Sequence, residues 1–522
     1  MPSAQSDVPR PIPLVARTAQ GDLVAISIAG SRIERIERSS APTSSVVVAG
    51  LTDAHGHVVG LGLSLGKVDL RGCRSAEDCA ARVQAALPKL APGGWLQGRG
   101  WDQNLYPDQQ FPTRAPLDAV APTTPVFVRR VDGHAGWANS EALRRASITR
   151  DTPDPPGGKI LRDAKGEPTG VLVDRAEDLV ADVIPPPSEL EIEQAILRAQ
   201  DLLLSQGLTS THEMGISPFV ADIYLRLARS GRLKMRVYAH WTSDPDTLEE
   251  AFRRGPLLAS PDDLFTLRSI KLYADGALGS RGAHLEAPYS DDPHNTGLVL
   301  TQIKDVEAIS RRALAAGFQV SAHAIGDAAN HDVLEAYARA GVTPAARFRI
   351  EHAQIVDLAD IPRFAQLGVI ASMQPTHATS DMPWAEKRLG RSRLAGAYAW
   401  RRFLDAGVHL AFGSDFPVEL SDPRLGLFAA VTRTDLHGQP PGGWLPDQRL
   451  TVEEALRAFT VGAAYAAFEE GWRGELEAGQ AADLTVFDGP LDTPEYIVQR
   501  KVLMTIVAGR VVYDARSAEK SR

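Results

Sequence analysis

The chain has 522 residues, 44% of them hydrophobic and 23% charged, with a formal net charge of −9. That length holds one large barrel of ~250 residues or more with one or two smaller domains, and enough apolar residues for a sizeable core. An acidic chain with no long Lys/Arg run lacks the basic face that nucleic acid requires, and no apolar stretch approaches the ~20 residues that span a bilayer, so neither partner is expected.

In chain order, the start MPSAQSDVPRPIPLVA lacks the basic and apolar segments of a signal peptide. Residues 23–28 and 46–49 are apolar runs around the turn Gly30-Ser31 and predict short strands. Residues 51–54 then open an α/β rhythm. Further strands are predicted at 209–213, 235–240, 269–274, 319–322, 347–351, 369–373 and 409–413, with helical stretches such as 189–205, 305–316 and 395–406 between them. Gly207, Gly317, Gly368 and Gly407 each stand where a helix ends before a strand. Eight strand–helix units point to a (β/α)8 TIM barrel over residues 51–474. The gap after strand one is too long for a loop. It carries its own strand signal (125–130), helices (75–87 and 139–146) and Pro/Gly-rich turns (153–158), so residues 65–187 read as a subdomain inserted over the barrel mouth. Its Cys73 and Cys79, the only cysteines, are too few to staple the chain and make a poor zinc pair, and read as free thiols in a reducing cytoplasm. The end of the chain returns to strands at 482–487, 502–507 and 511–513. With residues 1–50, residues 475–522 predict a small β-sandwich domain built from both termini.

The strands carry the chemistry. Strand one ends Asp53-Ala54-His55-Gly56-His57, where alternation turns His55 and His57 the same way. Strand four carries Lys271, strand five ends in His323, strand six in His352, and strand eight runs into Gly413-Ser414-Asp415. Any one of these has a plain structural reading: a hydrogen-bonded histidine, a surface lysine, a turn aspartate. Their joint placement does not, because active sites of this fold sit at the C-terminal ends of the strands. Imidazole nitrogen and carboxylate oxygen suit zinc first, with manganese or iron as alternatives, and one or two such ions polarise a carbonyl and generate hydroxide near neutral pH. Lys271 lies earlier in its strand and has to reach up.

These segments, with Lys271-Leu272-Tyr273-Ala274-Asp275-Gly276-Ala277-Leu278-Gly279-Ser280-Arg281, Ser321-Ala322-His323-Ala324-Ile325-Gly326-Asp327, Ile350-Glu351-His352-Ala353-Gln354, Met373-Gln374-Pro375 and the return segment 474–484, resemble the amidohydrolase superfamily. The resemblance is to its amidohydrolase-3 branch of YtcJ-like proteins and N-substituted formamide deformylases, and covers nearly the whole chain. It implies that His55 and His57 bind the more buried metal, that a carboxylated Lys271 bridges two ions, that His323 and His352 bind the second, and that Asp415 is both ligand and proton carrier. The implied reaction is hydrolysis of a C–N bond in an amide, formamide or N-acyl amine by metal-activated hydroxide. An ester, lactone or cyclic amidine substrate at the same site is the alternative, and a catalytically silent scaffold the remote one. Family analogy also implies a homodimer.

Substrate contacts follow less directly. In the insert, His134 of Asp132-Gly133-His134 is a candidate oxyanion donor, against a role of this stretch in a tight turn capped by Asn139 or Ser140. Trp101 either walls an apolar pocket or packs within the insert. Arg281 either meets a substrate carboxylate or carbonyl or pairs with Asp275. Gln374 and His377 follow strand seven and are expected to face the substrate, and Glu213 ends strand two behind the site. Two further patterns carry nothing: the glycines of 60–66 have the wrong spacing for a dinucleotide loop, and Gly413-Ser414-Asp415 lacks the second glycine of a nucleophile elbow.

Overall fold

The computed structural model describes residues 14–90, 93–130 and 134–519. Two compact units partition the chain: Leu61–Ala195, and the remainder on either side of it.

In the larger unit, eight parallel strands follow one another around one sheet. They are β1 (Leu51–Gly56), β2 (Leu208–Ile216), β3 (Arg236–Trp241), β4 (Phe265–Tyr273), β5 (Gln319–Ala324), β6 (Arg349–His352), β7 (Ile370–Met373) and β8 (Leu410–Phe412). All eight strands predicted from sequence form, with β2 and β4 longer than expected. Nearly every strand residue is buried, as a barrel packed inside and outside requires. The sheet closes into a TIM barrel just past β8, where Asp415 N donates to His55 O (2.7 Å) and His57 N donates to Phe416 O (2.8 Å). A side chain reinforces the seam: Asp53 accepts from His55 N (3.0 Å), Ser414 N (3.1 Å) and Ser414 Oγ (2.7 Å).

Helices separate the strands. Glu189–Ser205 and Ile303–Ala316 form as expected, the latter stopped by Gly317 at φ +78°. The predicted helix 395–406 does not form whole. A 3₁₀ turn (Arg391–Gly396) and a short helix (Trp400–Asp405) replace it, because Tyr398 between them takes φ +49°.

Strands from both ends of the chain share a seven-stranded sheet. Its order is Arg510–Asp514, Val502–Val507, Leu484–Phe487, Val46–Ala49, Leu14–Arg17, Leu23–Ala29 and Arg32–Arg38. Leu484–Phe487 and Val46–Ala49 pair antiparallel at its centre, and Val24, Ile26, Ile33, Val47, Leu484 and Ile506 are among the residues of its core. The strand Arg32–Arg38 was not foreseen, since its sequence RIERIER hides two inward isoleucines among charges.

The unit Leu61–Ala195 has a six-stranded sheet ordered Gly158–Arg162, Pro168–Asp174, Ala135–Ala138, Val126–Arg130, Leu96–Trp101 and Val68–Asp69. Ser75 caps the helix Ala76–Ala86, and Asn139, not Ser140, caps Ser140–Arg145 through Ala142 N. Cys73 and Cys79 are buried free thiols, Cys79 lying 3.3 Å from Tyr106 OH. Among the described residues no helix is long and apolar enough to cross a membrane.

Candidate metal centre

The C-terminal ends of β1, β4, β5, β6 and β8 bring the six expected ligands to one place. His55, His352 and Asp415 each offer an atom within 4.8 Å of the others. The remaining three border this cluster. His57 Nε2 is 3.2 Å from Asp415 Oδ1, Lys271 Nζ is 3.5 Å from His55 Nε2, and the ring centres of His323 and His352 are 4.5 Å apart. Register explains the reach of Lys271. It pairs with Ser321, two residues below the Tyr273–His323 pair, so its chain must climb one layer.

Burial sets the protonation states. It holds His55 and His352 well below the usual imidazole range, helped by neighbouring positive groups, so both are neutral and have a lone pair to give. Burial also pulls Lys271 down to about 8, against the opposing pull of Glu351 and Asp415. Burial opposes ionisation of Asp415, but the imidazoles packed around it, with a hydrogen bond from His57, hold its carboxyl well below the usual carboxylate range. Asp53 has only hydrogen bonds to offset its burial, which raises it to about 7.

Neutral imidazoles and an ionised carboxylate are the donor set for a divalent ion. A second observation fits this: His323 Nε2 and His377 Nε2 are both buried, and no hydrogen-bond partner reaches either. His323 Nε2 comes only within 3.4 Å of Asp275 Oδ1.

Around the cluster stand residues the sequence reading had not assigned. His55 Nδ1 is 2.6 Å from Glu351 Oε2, and both side chains are fully buried. Arg349, also fully buried, lies 2.7 Å from the other oxygen of Glu351. Asp275 does not pair with Arg281. Its oxygens accept from the backbone of Ile325, Gly326 and His284, fixing the turn after His323. Opposite charges at alternate positions of a buried strand, Arg349 and Glu351, were the one signal available for that pair.

The predicted substrate contacts divide. Arg281 meets Asp291 (3.0 Å), which it shares with Arg388, because its own loop folds back and brings that carboxylate nearer than Asp275. Gln374 is buried and accepts from His352 Nδ1 (2.7 Å) while donating to Ser372 O, so its amide is committed to a histidine and to main chain instead of a substrate. His377 does face the cluster, its Nε2 3.8 Å from Asp415 Oδ2 and its ring parallel to that of His352. Trp101 is wholly buried, donates to Val128 O (2.9 Å) and meets Trp137 edge-on, so it packs within the Leu61–Ala195 unit and does not wall a pocket there. His134 is largely exposed and 3.0 Å from Asp174; Asp132 lies outside the described residues. Glu213 accepts from Val58 N (2.5 Å) and so holds the chain just after His57.

A parallel barrel with histidines, a lysine and an ionised aspartate gathered at the ends of its strands is the architecture of a hydrolase acting through a divalent ion. Residues 45–513 match the Amidohydrolase family, and the chain belongs to it. It is 33% identical over 479 residues to YtcJ of Bacillus subtilis (strain 168), covering 90% of this chain and 89% of that one. It is 29% identical over 532 residues to the N-substituted formamide deformylase of Arthrobacter pascens, covering 95% of each. The crystal structure of an uncharacterized metal-dependent hydrolase from Pyrococcus furiosus superposes with a TM-score of 0.75 at 29% identity, covering 92% of this chain and 98% of that one.

Proposed function

We propose that this amidohydrolase cleaves a non-peptide C–N bond of a small amide, formamide or N-acyl amine, with one or two divalent ions, zinc first, held by His55, His57, Lys271, His323, His352 and Asp415. The observation that carries the reading is the meeting of neutral His55 and His352 with ionised Asp415, each offering an atom within 4.8 Å of the others. Likeness to an N-substituted formamide deformylase over the length of both chains supports the choice of bond. When bound, such ions polarise a substrate carbonyl and acidify water.

The chain's own residues supply the rest. Asp415 turns Oδ1 towards His55 and His57 and Oδ2 towards His377, so one carboxylate can take a proton from the attacking water on one side and release it to the leaving nitrogen on the other. His377 faces the cluster with a buried Nε2 that no hydrogen-bond partner reaches, which suits it as a donor to the developing oxyanion. Lys271, brought down to about 8, has amine available near neutral pH to add carbon dioxide, forming the Nζ–C bond of a carbamate with loss of one proton. A carbamate offers oxygens to cations where an ammonium repels them.

The test is metal content by elemental mass spectrometry on protein purified without chelators, followed by assay against N-formyl and N-acyl amines. One or two ions per chain, with activity lost to chelator and restored by metal, is expected. No metal after supply of zinc and bicarbonate would defeat the assignment, and full metal content and activity in Lys271→Ala would defeat the role given to Lys271.

A further inference from the structure

An imidazole can offer a metal either ring nitrogen, and the hydrogen bond at the other one decides which. Two of the proposed ligand histidines have that second nitrogen engaged, by chemically different partners. His352 Nδ1 meets the neutral amide of Gln374 at 2.7 Å. His55 Nδ1 meets the carboxylate of Glu351 at 2.6 Å. Arg349 restrains Glu351 in turn. Arg349 Nε lies 2.7 Å from its Oε1, and an Arg349 terminal nitrogen donates to its Oε2 (3.1 Å). Arg349 is itself tied to three other strands. From β6 it donates to Ala54 O in β1 (2.7 Å), to Ser372 Oγ in β7 (2.9 Å) and to His212 Nδ1 in β2 (2.8 Å). Arg349, Glu351 and His55 thus form a buried polar floor beneath the cluster.

We infer that Glu351 is the positioning residue of this site: braced by Arg349, it holds the His55 proton on Nδ1, presents Nε2 as the ligand atom, and makes the His55 side of the site the tighter metal-binding half. This rests on the metal reading above. A carboxylate accepting the Nδ1 hydrogen raises the donor strength of Nε2, whereas the Gln374 amide at His352 does so weakly. Arg349 and Glu351 carry opposite charges, so the pair adds no net charge beneath the cluster.

The experiment compares wild type with Glu351→Gln, Glu351→Asp and Gln374→Ala. Each is loaded with zinc, equilibrated with graded chelator and read by elemental mass spectrometry, with circular dichroism reporting the fold. Glu351→Gln is expected to lose zinc affinity by about 10–100-fold, Glu351→Asp to recover part of it, and Gln374→Ala to lose less than Glu351→Gln. Folded Glu351→Gln with wild-type affinity, or a larger loss in Gln374→Ala, would overturn the inference. Wild-type protein that takes up no zinc would instead overturn the metal reading. ¹⁵N-histidine spectra of metal-free wild type then decide the positioning role by themselves, as they do if the Glu351 variants fail to fold. A neutral His55 with its proton on Nδ1 is expected, and a proton on Nε2 would refute it.

Discussion

Gly413 tests whether the seam between β8 and β1 organises the site. Its φ is ordinary, so any penalty for a side chain there is steric. A Cβ on Gly413 would stand 2.4 Å from His55 N, 2.6 Å from Asp53 Oδ1 and 3.0 Å from His55 Cβ. The first is strand backbone. The second belongs to a carboxylate pinned by His55 N and Ser414, so neither neighbour is a flexible tip that can move aside. Overpacking of this kind costs about 1–3 kcal/mol. Relief by parting the strands would also stretch the Asp415 N–His55 O, His57 N–Phe416 O and His55 N–Asp53 hydrogen bonds, at about 1 kcal/mol each. We therefore expect Gly413→Ala to lose about 4–6 kcal/mol, a large part of the ~5–15 kcal/mol by which proteins are stable. Metal uptake should fall with it, since the same movement draws Asp415 away from His55 and His57. Urea unfolding followed by tryptophan fluorescence, with zinc measured on the folded fraction, reads both effects. Gly471→Ala is the control: nothing lies within 4 Å of its Cβ, and its change should stay within about 0.5 kcal/mol. If Gly413→Ala matched that control in stability and zinc content, the seam would not be the constraint described here.

Three other outcomes follow from buried groups. Arg349→Met should lower unfolding free energy by about 3–5 kcal/mol, because it strands the buried Glu351 charge, and pairing it with Glu351→Gln should recover part of the loss; an unchanged urea midpoint would contradict this. Trp101→Ala should cost about 3–5 kcal/mol and speed proteolysis within residues 61–195, whereas a change in KM alone would restore the pocket reading. Glu177 is buried and raised to about 7 by that burial, with Arg129 at 3.3 Å only partly opposing it. A carboxyl whose folded pKa is raised favours the protonated folded state, so this stabilisation is present below pH 4.5 and fades as pH rises towards 7. Relative to Glu177→Gln, wild type should therefore lose stability across that interval, by at most about 3 kcal/mol. Parallel pH–stability curves for the two proteins would rule it out.

What the order of residues determines by itself is local and periodic. Eight apolar runs alternating with helical stretches are legible as barrel strands, because a strand buried on both faces must be apolar throughout. The glycines that end helices and the H-x-H spacing at His55 and His57 are legible for the same reason, since each depends on a few neighbouring residues. Even the set of proposed ligands could be read, because the fold places chemistry at strand ends. What only the tertiary structure decides is how distant side chains spend their hydrogen bonds. His55 and Glu351 lie 296 positions apart, and their contact exists only once β6 and β1 face each other across a closed barrel. Arg281 found Asp291 and not Asp275 through the path of its loop, and Gln374 turned to His352 because β7 sits beside β6. Trp101 reads from sequence as either a pocket wall or a core residue, and what buries it is the packing of Trp137 and Val128 from neighbouring strands. Sequence periodicity specifies which face a side chain takes; its partner depends on register and closure, which are properties of the assembled barrel.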